Sequence, residues 1–197
     1  TALKDETIIS LGHTEAGFET ASKAFELGAS HVTHLFNAMQ LFNHREPGLV
    51  GAAFDHPGVT VELICDGVHV APAMVRAAFR LFSAERIVLI SDSMRATGLG
   101  DGDYTLGGQA VHVRGNRATL ADGTLAGSVI NLMDCLRNAV AFGIPLAEAV
   151  QAAAVNPAHV IGESDRLGSL EPGKLANVVL LDKSLNVVKV FVKGKSM

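Results

Sequence analysis

Short apolar runs alternate with amphipathic, helix-like stretches along the first half of the chain, and that alternation limits the fold more than any other feature. Thr7-Ile8-Ile9-Ser10-Leu11, His31-Val32-Thr33, Val59 to Ile64 and Ile87 to Ile90 carry the β-branched and apolar residues of buried strands. After the first of these, Thr14 is placed to cap a helix on which Phe18, Ala21 and Phe25 share one face and which Gly28 ends. After the second, a Gly/Pro-rich loop is predicted, including Arg45-Glu46-Pro47-Gly48. After the third, Pro72 suits a first helical position, and Val75, Ala78, Phe79 and Phe82 follow at helical spacing. Strands joined by helices through short loops form a parallel sheet. Eight such units close a barrel in roughly 250 residues. Only about four fit here, and a half barrel leaves strand edges unpaired. The chain is therefore expected to be a fragment or to pair with something.

The regularity then breaks. Tyr104 to Thr124 alternates in polarity and carries the turn signals Gly107-Gly108, Gly115-Asn116 and Asp122-Gly123, so an inserted antiparallel hairpin or meander is predicted. Ser128 is placed to cap a helix bearing Val129, Leu132, Met133, Leu136 and Val140, and Pro145 opens another with Leu146, Ala149, Val150 and Ala153. The tail returns to β structure at Asn177 to Leu181 and Val187 to Val192, across a turn at Asp182-Lys183-Ser184. The predicted organisation is α/β: a partial barrel over residues 1–164 with a β insertion at about 103–125, then part of a small β domain over 165–197.

Composition narrows the function classes. The 197 residues are 48% hydrophobic and 18% charged, which suits a packed core and not a disordered chain. A net charge of -4 without a Lys/Arg cluster argues against nucleic acid as a partner. Cys65 and Cys135 are isolated and fit a reducing compartment with no disulfide framework. Thr1 to Glu6 lack a signal-peptide pattern. The longest apolar stretch, Ala139 to Val155, is interrupted by Pro145 and Glu148, so no membrane segment is expected. A cytoplasmic location follows as the expectation.

Polar residues gather where the strands finish: His13, His34, Asp66 with His69, and Asp92 after the first to fourth strands in turn. In parallel α/β sheets those ends share one rim, where ligands bind. Neighbouring strands lie roughly 4.8 Å apart, so histidines ending adjacent strands reach a common metal ion, at about 2.0–2.1 Å for zinc. A lone strand-end histidine is commonly a hydrogen-bonded loop residue, Asp92 also reads as a loop cap, and Arg45 as a solvated charge. Two histidines on successive strands followed by an aspartate favour a metal site. His31, His44, His56, His112 and His159 have no such placement and receive no role.

Read in order, several segments resemble the N-acetylglucosamine-6-phosphate deacetylase family of the amidohydrolase superfamily, over the length of the chain. They are Leu11-Gly12-His13-Thr14-Glu15-Ala16, Thr33-His34-Leu35-Phe36-Asn37-Ala38-Met39, Arg45-Glu46-Pro47-Gly48-Leu49, Asp66-Gly67-Val68-His69-Val70, Ser91-Asp92-Ser93-Met94 with Ala96-Thr97-Gly98, and Gly123-Thr124-Leu125-Ala126-Gly127-Ser128. Gly168 to Asn177 is similar to the superfamily's return to its small β domain. The resemblance implies the C-terminal part of a (β/α)8 TIM-like barrel. It implies His13 and His34 as metal ligands and Asp92 as the catalytic acid and base. It implies substrate contacts at Asn37, Ala38, Arg45, Asp66, Gly67, Val68, His69, Leu125, Ala126 and Gly127. The implied cofactor is a divalent metal, Zn2+ ahead of Fe2+ or another ion. The implied reaction is hydrolysis of the acetamide of N-acetylglucosamine 6-phosphate, an amino-sugar phosphate, and the full-length protein is expected to be a homo-oligomer, a dimer.

One departure matters. The family's remaining metal ligand is a glutamate in a His-Leu-Glu-Gly-Pro motif upstream of the first histidine, and no such motif occurs here. The histidine expected to polarise the amide carbonyl also lies upstream. The chain is therefore expected to supply an incomplete site. Two other readings stay open: another amidohydrolase such as a cyclic-amide hydrolase, which Arg45 and Asn37-Ala38 disfavour, or a catalytically incomplete sugar-phosphate-binding fragment.

Overall fold

A computed structural model describes residues 7–197; the signal-peptide reading of Thr1 to Glu6 lies outside them. The chain has an α/β fold. Strands β1 (Ser10–Leu11), β2 (His31–Val32), β3 (Thr60–Ile64) and β4 (Ile87–Ile90) form a parallel sheet in sequence order. Its register sets Ser10 beside His31 and His31 beside Thr60. Helices α1 (Phe18–Glu26), α2 (Gly48–Asp55) and α3 (Pro72–Phe82) connect the strands. Val32, Val61, Leu63, Ile87 and Leu89 pack against Phe25, Leu49, Ala52, Val75, Ala78 and Phe82 in one core.

Side chains alternate along a strand, so the opposite face carries polar residues of β1 to β3 beside Ile64, Val88 and Ile90. There Ser10 and Thr33 share a hydroxyl hydrogen bond of 2.6 Å, and His31 bonds both Thr60 (2.6 Å) and Glu62 (3.2 Å). The sheet does not close among the described residues: β1 pairs only with β2 and β4 only with β3, and an isolated bridge joins Ser93, beyond the end of β4, to Ser128.

Two helix starts differ from the sequence reading. Thr14 caps no helix: its hydroxyl accepts from the Ala16 N–H at 3.1 Å, making a local turn, and α1 begins at Phe18. Ser128 lies in the bridge to Ser93, and α4 (Leu132–Ala141) is capped by Asn131, whose side chain accepts from the Asp134 N–H while Asp134 accepts from the Asn131 N–H. Helix α2 occupies what reads as loop. Its Gly-Leu-Val-Gly-Ala-Ala segment is buried all round and so shows no amphipathic stripe. Gly51 lets it form there, since a Cβ would meet Pro47 Cβ at 2.3 Å.

Strands β5 (Gly102–Leu106), β6 (Gln109–Arg114) and β7 (Arg117–Thr119) form the inserted antiparallel sheet over its own small core of Met94, Val111, Val113 and Ala126. The chain then runs through α4, α5 (Leu146–Val150), a π-helical turn at Gln151–Val155 and α6 (Asn156–Val160). Strands β8 (Val178–Leu181), β9 (Val187–Val192) and β10 (Lys195–Ser196) make a third, antiparallel sheet. Among the described residues no helix is long and apolar enough to cross a membrane.

Asn156 follows the π turn and ties it to β4. Its buried amide donates to the Ala84 and Ile87 carbonyls, both at 2.6 Å. Asn156→Leu leaves both acceptors buried without a donor, at about 1–3 kcal/mol each. Urea unfolding is expected to show a loss of roughly 2–4 kcal/mol, and a change below about 0.5 kcal/mol, the scale of a neutral surface substitution, contradicts the assignment.

Candidate active site

His13, His34 and Asp92 follow β1, β2 and β4, and all three have positive φ: 46°, 30° and 50°. Non-glycine residues rarely adopt that region, and such strain concentrates at functional sites. The turn after each strand takes the side chain off the ladder direction. Gly12 allows the first of these turns, because a Cβ there would meet Thr33 Cβ at 2.7 Å. The Thr14 N–H then donates to the Ala38 carbonyl at 3.1 Å and joins the loop after β2 to the end of β1.

The two histidines converge. His13 Nε2 and His34 Nε2 are 2.8 Å apart and the rings meet at 70° with centroids 4.6 Å apart. His34 is buried, and its Nδ1 has no hydrogen-bond partner among the described residues. Two imidazole nitrogens aimed at one point suit a borderline divalent metal such as zinc. Among the described residues no group of three or more His, Cys, Asp or Glu side chains converges on one point. The donor set therefore fits two positions of a metal site and leaves the others to be supplied.

Asp66 and His69 form a second unit. Asp66 Oδ1 accepts from the Val68 and His69 N–H groups, each at 2.8 Å, and Oδ2 lies 2.6 Å from His69 Nδ1. Burial pushes the Asp66 carboxyl up, but the His69 hydrogen bond and the two N–H groups outweigh it and hold the pKa below its ordinary value. At 1% side-chain exposure the carboxylate faces its own turn, and it engages Nδ1 of a His69 side chain that is itself only 7% exposed, leaving Nε2 as the other ring nitrogen. Gly67, with φ of 74°, passes against Phe142, where a Cβ would lie 3.1 Å from Cζ.

Asp92 is exposed, and its carboxylate has no hydrogen-bond partner among the described residues. Its carbonyl accepts from the Ser128 N–H at 2.9 Å, which draws the Leu125-Ala126-Gly127 segment alongside. Ala126 is fixed in turn by its N–H to the Ala118 carbonyl at 3.0 Å. Asn37 donates to the His34 and Leu35 carbonyls at 3.3 and 3.1 Å, and Ala38 has φ of 49°. Arg45 is exposed on the loop before α2 and lines two open hollows of about 300 and 550 Å3 with Gln40 and Glu46. Neither hollow is lined by His13, His34, His69 or Asp92.

The cysteines take no part. Both are buried, and burial pushes each thiol up to about 12, which leaves them protonated. Two residues in the polar network, His31 and Glu62, escaped the sequence reading. The signal was present: a charged residue inside the apolar strand Thr60-Val61-Glu62-Leu63-Ile64 needs a buried partner.

Residues 6–197 match the Amidohydrolase family. The chain belongs to that family. Membership implies dependence on a metal. The N-acetylglucosamine-6-phosphate deacetylase of Bacillus subtilis (strain 168) is 44% identical over 194 residues, which is 98% of this chain and 49% of that protein. A putative N-acetylgalactosamine-6-phosphate deacetylase of Escherichia coli (strain K12) is 43% identical over 163 residues, 82% of this chain and 97% of that protein. Among solved structures, an N-acetyl-D-glucosamine-6-phosphate deacetylase mutant from Mycobacterium smegmatis, in complex with N-acetyl-D-glucosamine-6-phosphate, superposes with a TM-score of 0.91 at 41% identity, covering 96% of this chain and 51% of that one. The chain spans about half the length of the full-size relatives it matches.

Proposed function

We propose that this amidohydrolase chain carries the second half of the active site of a deacetylase. The reaction is hydrolysis of N-acetylglucosamine 6-phosphate to glucosamine 6-phosphate and acetate. The observation that carries the reading is the convergence of His13 and His34 at 2.8 Å, in a chain 44% identical to a deacetylase of that name. In this reading residues 1–164 are part of a (β/α)8 barrel, and 165–197 belong to a small β domain. The protein works in the cytoplasm as a homodimer.

His13 and His34 would hold a divalent metal, Zn2+ by donor chemistry, together with a carboxylate from outside the described residues, and the ion would supply Lewis acidity to the site. Asp92 accepts a proton from the attacking water and delivers it to the departing sugar nitrogen. Its exposed carboxylate is engaged by no other group among the described residues. His69, with Nδ1 engaged by Asp66, presents Nε2 to the substrate. Asn37, Ala38 and Leu125 to Gly127 flank the acetamide and sugar. A panel of N-acetylhexosamines with and without a 6-phosphate tests the reading in a chain completed by the upstream half. Turnover of N-acetylglucosamine 6-phosphate is expected, and turnover of cyclic amides in its place sinks it. The relative named for N-acetylgalactosamine 6-phosphate makes the C4 epimer the essential comparison.

Arg45 binds the 6-phosphate in this reading. Its planar guanidinium matches two phosphate oxygens, and such charge-assisted bonds contribute roughly 1.5–3 kcal/mol. Arg45→Ala is expected to raise KM for the phosphorylated sugar about ten-fold or more while changing the unphosphorylated sugar far less. Equal penalties on both substrates contradict it.

A further inference from the structure

Glu62 is the one charged residue of β3 and has no part in the chemistry above. We infer that Glu62 is a positioning residue that fixes the imidazole of His34 through the main chain. This rests on the reading of His34 as a metal ligand.

Strand β2 ends at Val32, and His34 turns away with φ of 30°. That turn lifts its N–H off the ladder and leaves it without a strand partner. Glu62 takes up both N–H groups at the bend: its side-chain Oε2 accepts from His34 at 3.2 Å, and its main-chain carbonyl accepts from Leu35 at 2.8 Å. A strained residue keeps its conformation only where its surroundings fix it. The carboxylate is itself fixed, since Oε1 lies 3.2 Å from His31 Nε2 and His31 Nδ1 lies 2.6 Å from Thr60 Oγ1. His31 is buried, so the line from Thr60 through His31 to Glu62 braces the bend. Among the described residues Glu62 is the acceptor recorded for the His34 main-chain N–H. Because His34 Nδ1 has no partner of its own among the described residues, the ring is aimed by its backbone and not by a bond to its far nitrogen.

Geometry and charge are separable here. In Glu62→Gln the amide oxygen still accepts the His34 N–H, and the NH2 donates to His31 Nε2 once His31 takes its other tautomer. Glu62→Asp keeps the charge but is one methylene too short to span 3.2 Å to the His34 N–H. The test titrates Co2+ into the chain joined to the upstream half that its relatives have, following the visible absorption of the metal. Unfolding of each metal-free form runs alongside. Glu62→Asp is expected to weaken Co2+ binding about ten-fold or more and to alter the spectrum, whereas Glu62→Gln stays within about three-fold of the parent. Glu62→Leu should behave as Glu62→Asp.

Parent-like Co2+ affinity and spectrum in Glu62→Asp overturn the inference. So does an equal loss in Glu62→Gln and Glu62→Asp, which assigns the effect to charge. A fall in metal-free stability with Co2+ binding unchanged also overturns it, as it marks a merely structural role. His34→Asn is the control for the underlying reading: if that variant still binds Co2+ like the parent, the metal assignment fails, whatever Glu62 does.

Discussion

Asp92→Asn is expected to lower kcat by at least about 10²-fold, the usual scale for loss of a general acid and base, in the chain joined to the upstream half of a full-size relative. The substitution keeps the shape of the side chain and removes its ability to accept a proton. The site tolerates that shape, because Asp92 is exposed and its carboxylate makes no hydrogen bond among the described residues that an amide would break. Its place is set by the main chain: φ of 50°, and the carbonyl bonded to the Ser128 N–H at 2.9 Å. Gly127, with φ of 83°, passes close beside it, since a Cβ there would stand 3.2 Å from the Asp92 carbonyl oxygen. Metal content, measured by elemental analysis, should stay near the parent's, because the proposed ligands His13 and His34 are untouched. Near-parent turnover in the variant rules Asp92 out as the proton carrier. A parallel loss of metal shows that it acts as a ligand instead.

The strand ends were legible because apolar runs of four or five residues stop at polar ones, as Ile87 to Ile90 stops before Ser91-Asp92. Parallel pairing then brings those ends to one rim, and the meeting of His13 with His34 follows from β1 lying beside β2. The positive φ of all three residues was not legible, since it arises where the chain leaves the sheet and no residue type announces it. Helix α2 was hidden by its burial on every side, which erases periodicity. The inward turn of Asp66 was hidden too. Asp-Gly-Val-His at a strand end reads as a row of substrate contacts, and only coordinates show that the carboxylate spends its acceptors on Val68 and His69. The capping of α4 was readable: Asn131 and Asp134 have capping-box spacing, but Ser128 competes three residues earlier, and its bridge to Ser93 is a tertiary contact that local spacing does not encode.

The isolated 197-residue chain is expected to bind divalent metal weakly, to self-associate and to show negligible deacetylase activity. Three observations converge on this. A catalytic zinc usually takes three protein ligands and a water, and here only His13 and His34 meet, with no third acidic, histidine or cysteine group joining them among the described residues. Among the described residues strand β1 has a neighbour on one side alone, and unpaired edges recruit other chains. The third sheet leaves Val179, Leu180, Val187, Val188 and Val192 between 43% and 66% exposed, an apolar surface that soluble monomers seldom present. Supplying the upstream half, fused or co-expressed, should restore solubility, metal and turnover together, because the same added strands cover the edge, bury the apolar sheet and bring the missing ligand. The measurement compares the two forms by sedimentation, elemental analysis and release of glucosamine 6-phosphate. Recovery of solubility without metal would separate the structural defect from the site and place the missing ligand elsewhere. Full activity from the isolated chain would mean that it completes its own metal site, either from a residue beyond those that converge here or from a second copy of itself. The Escherichia coli K12 relative, of which this chain covers 97%, is the natural comparison, since the same three measurements on it distinguish a half site that is always completed in trans from one that is not completed at all.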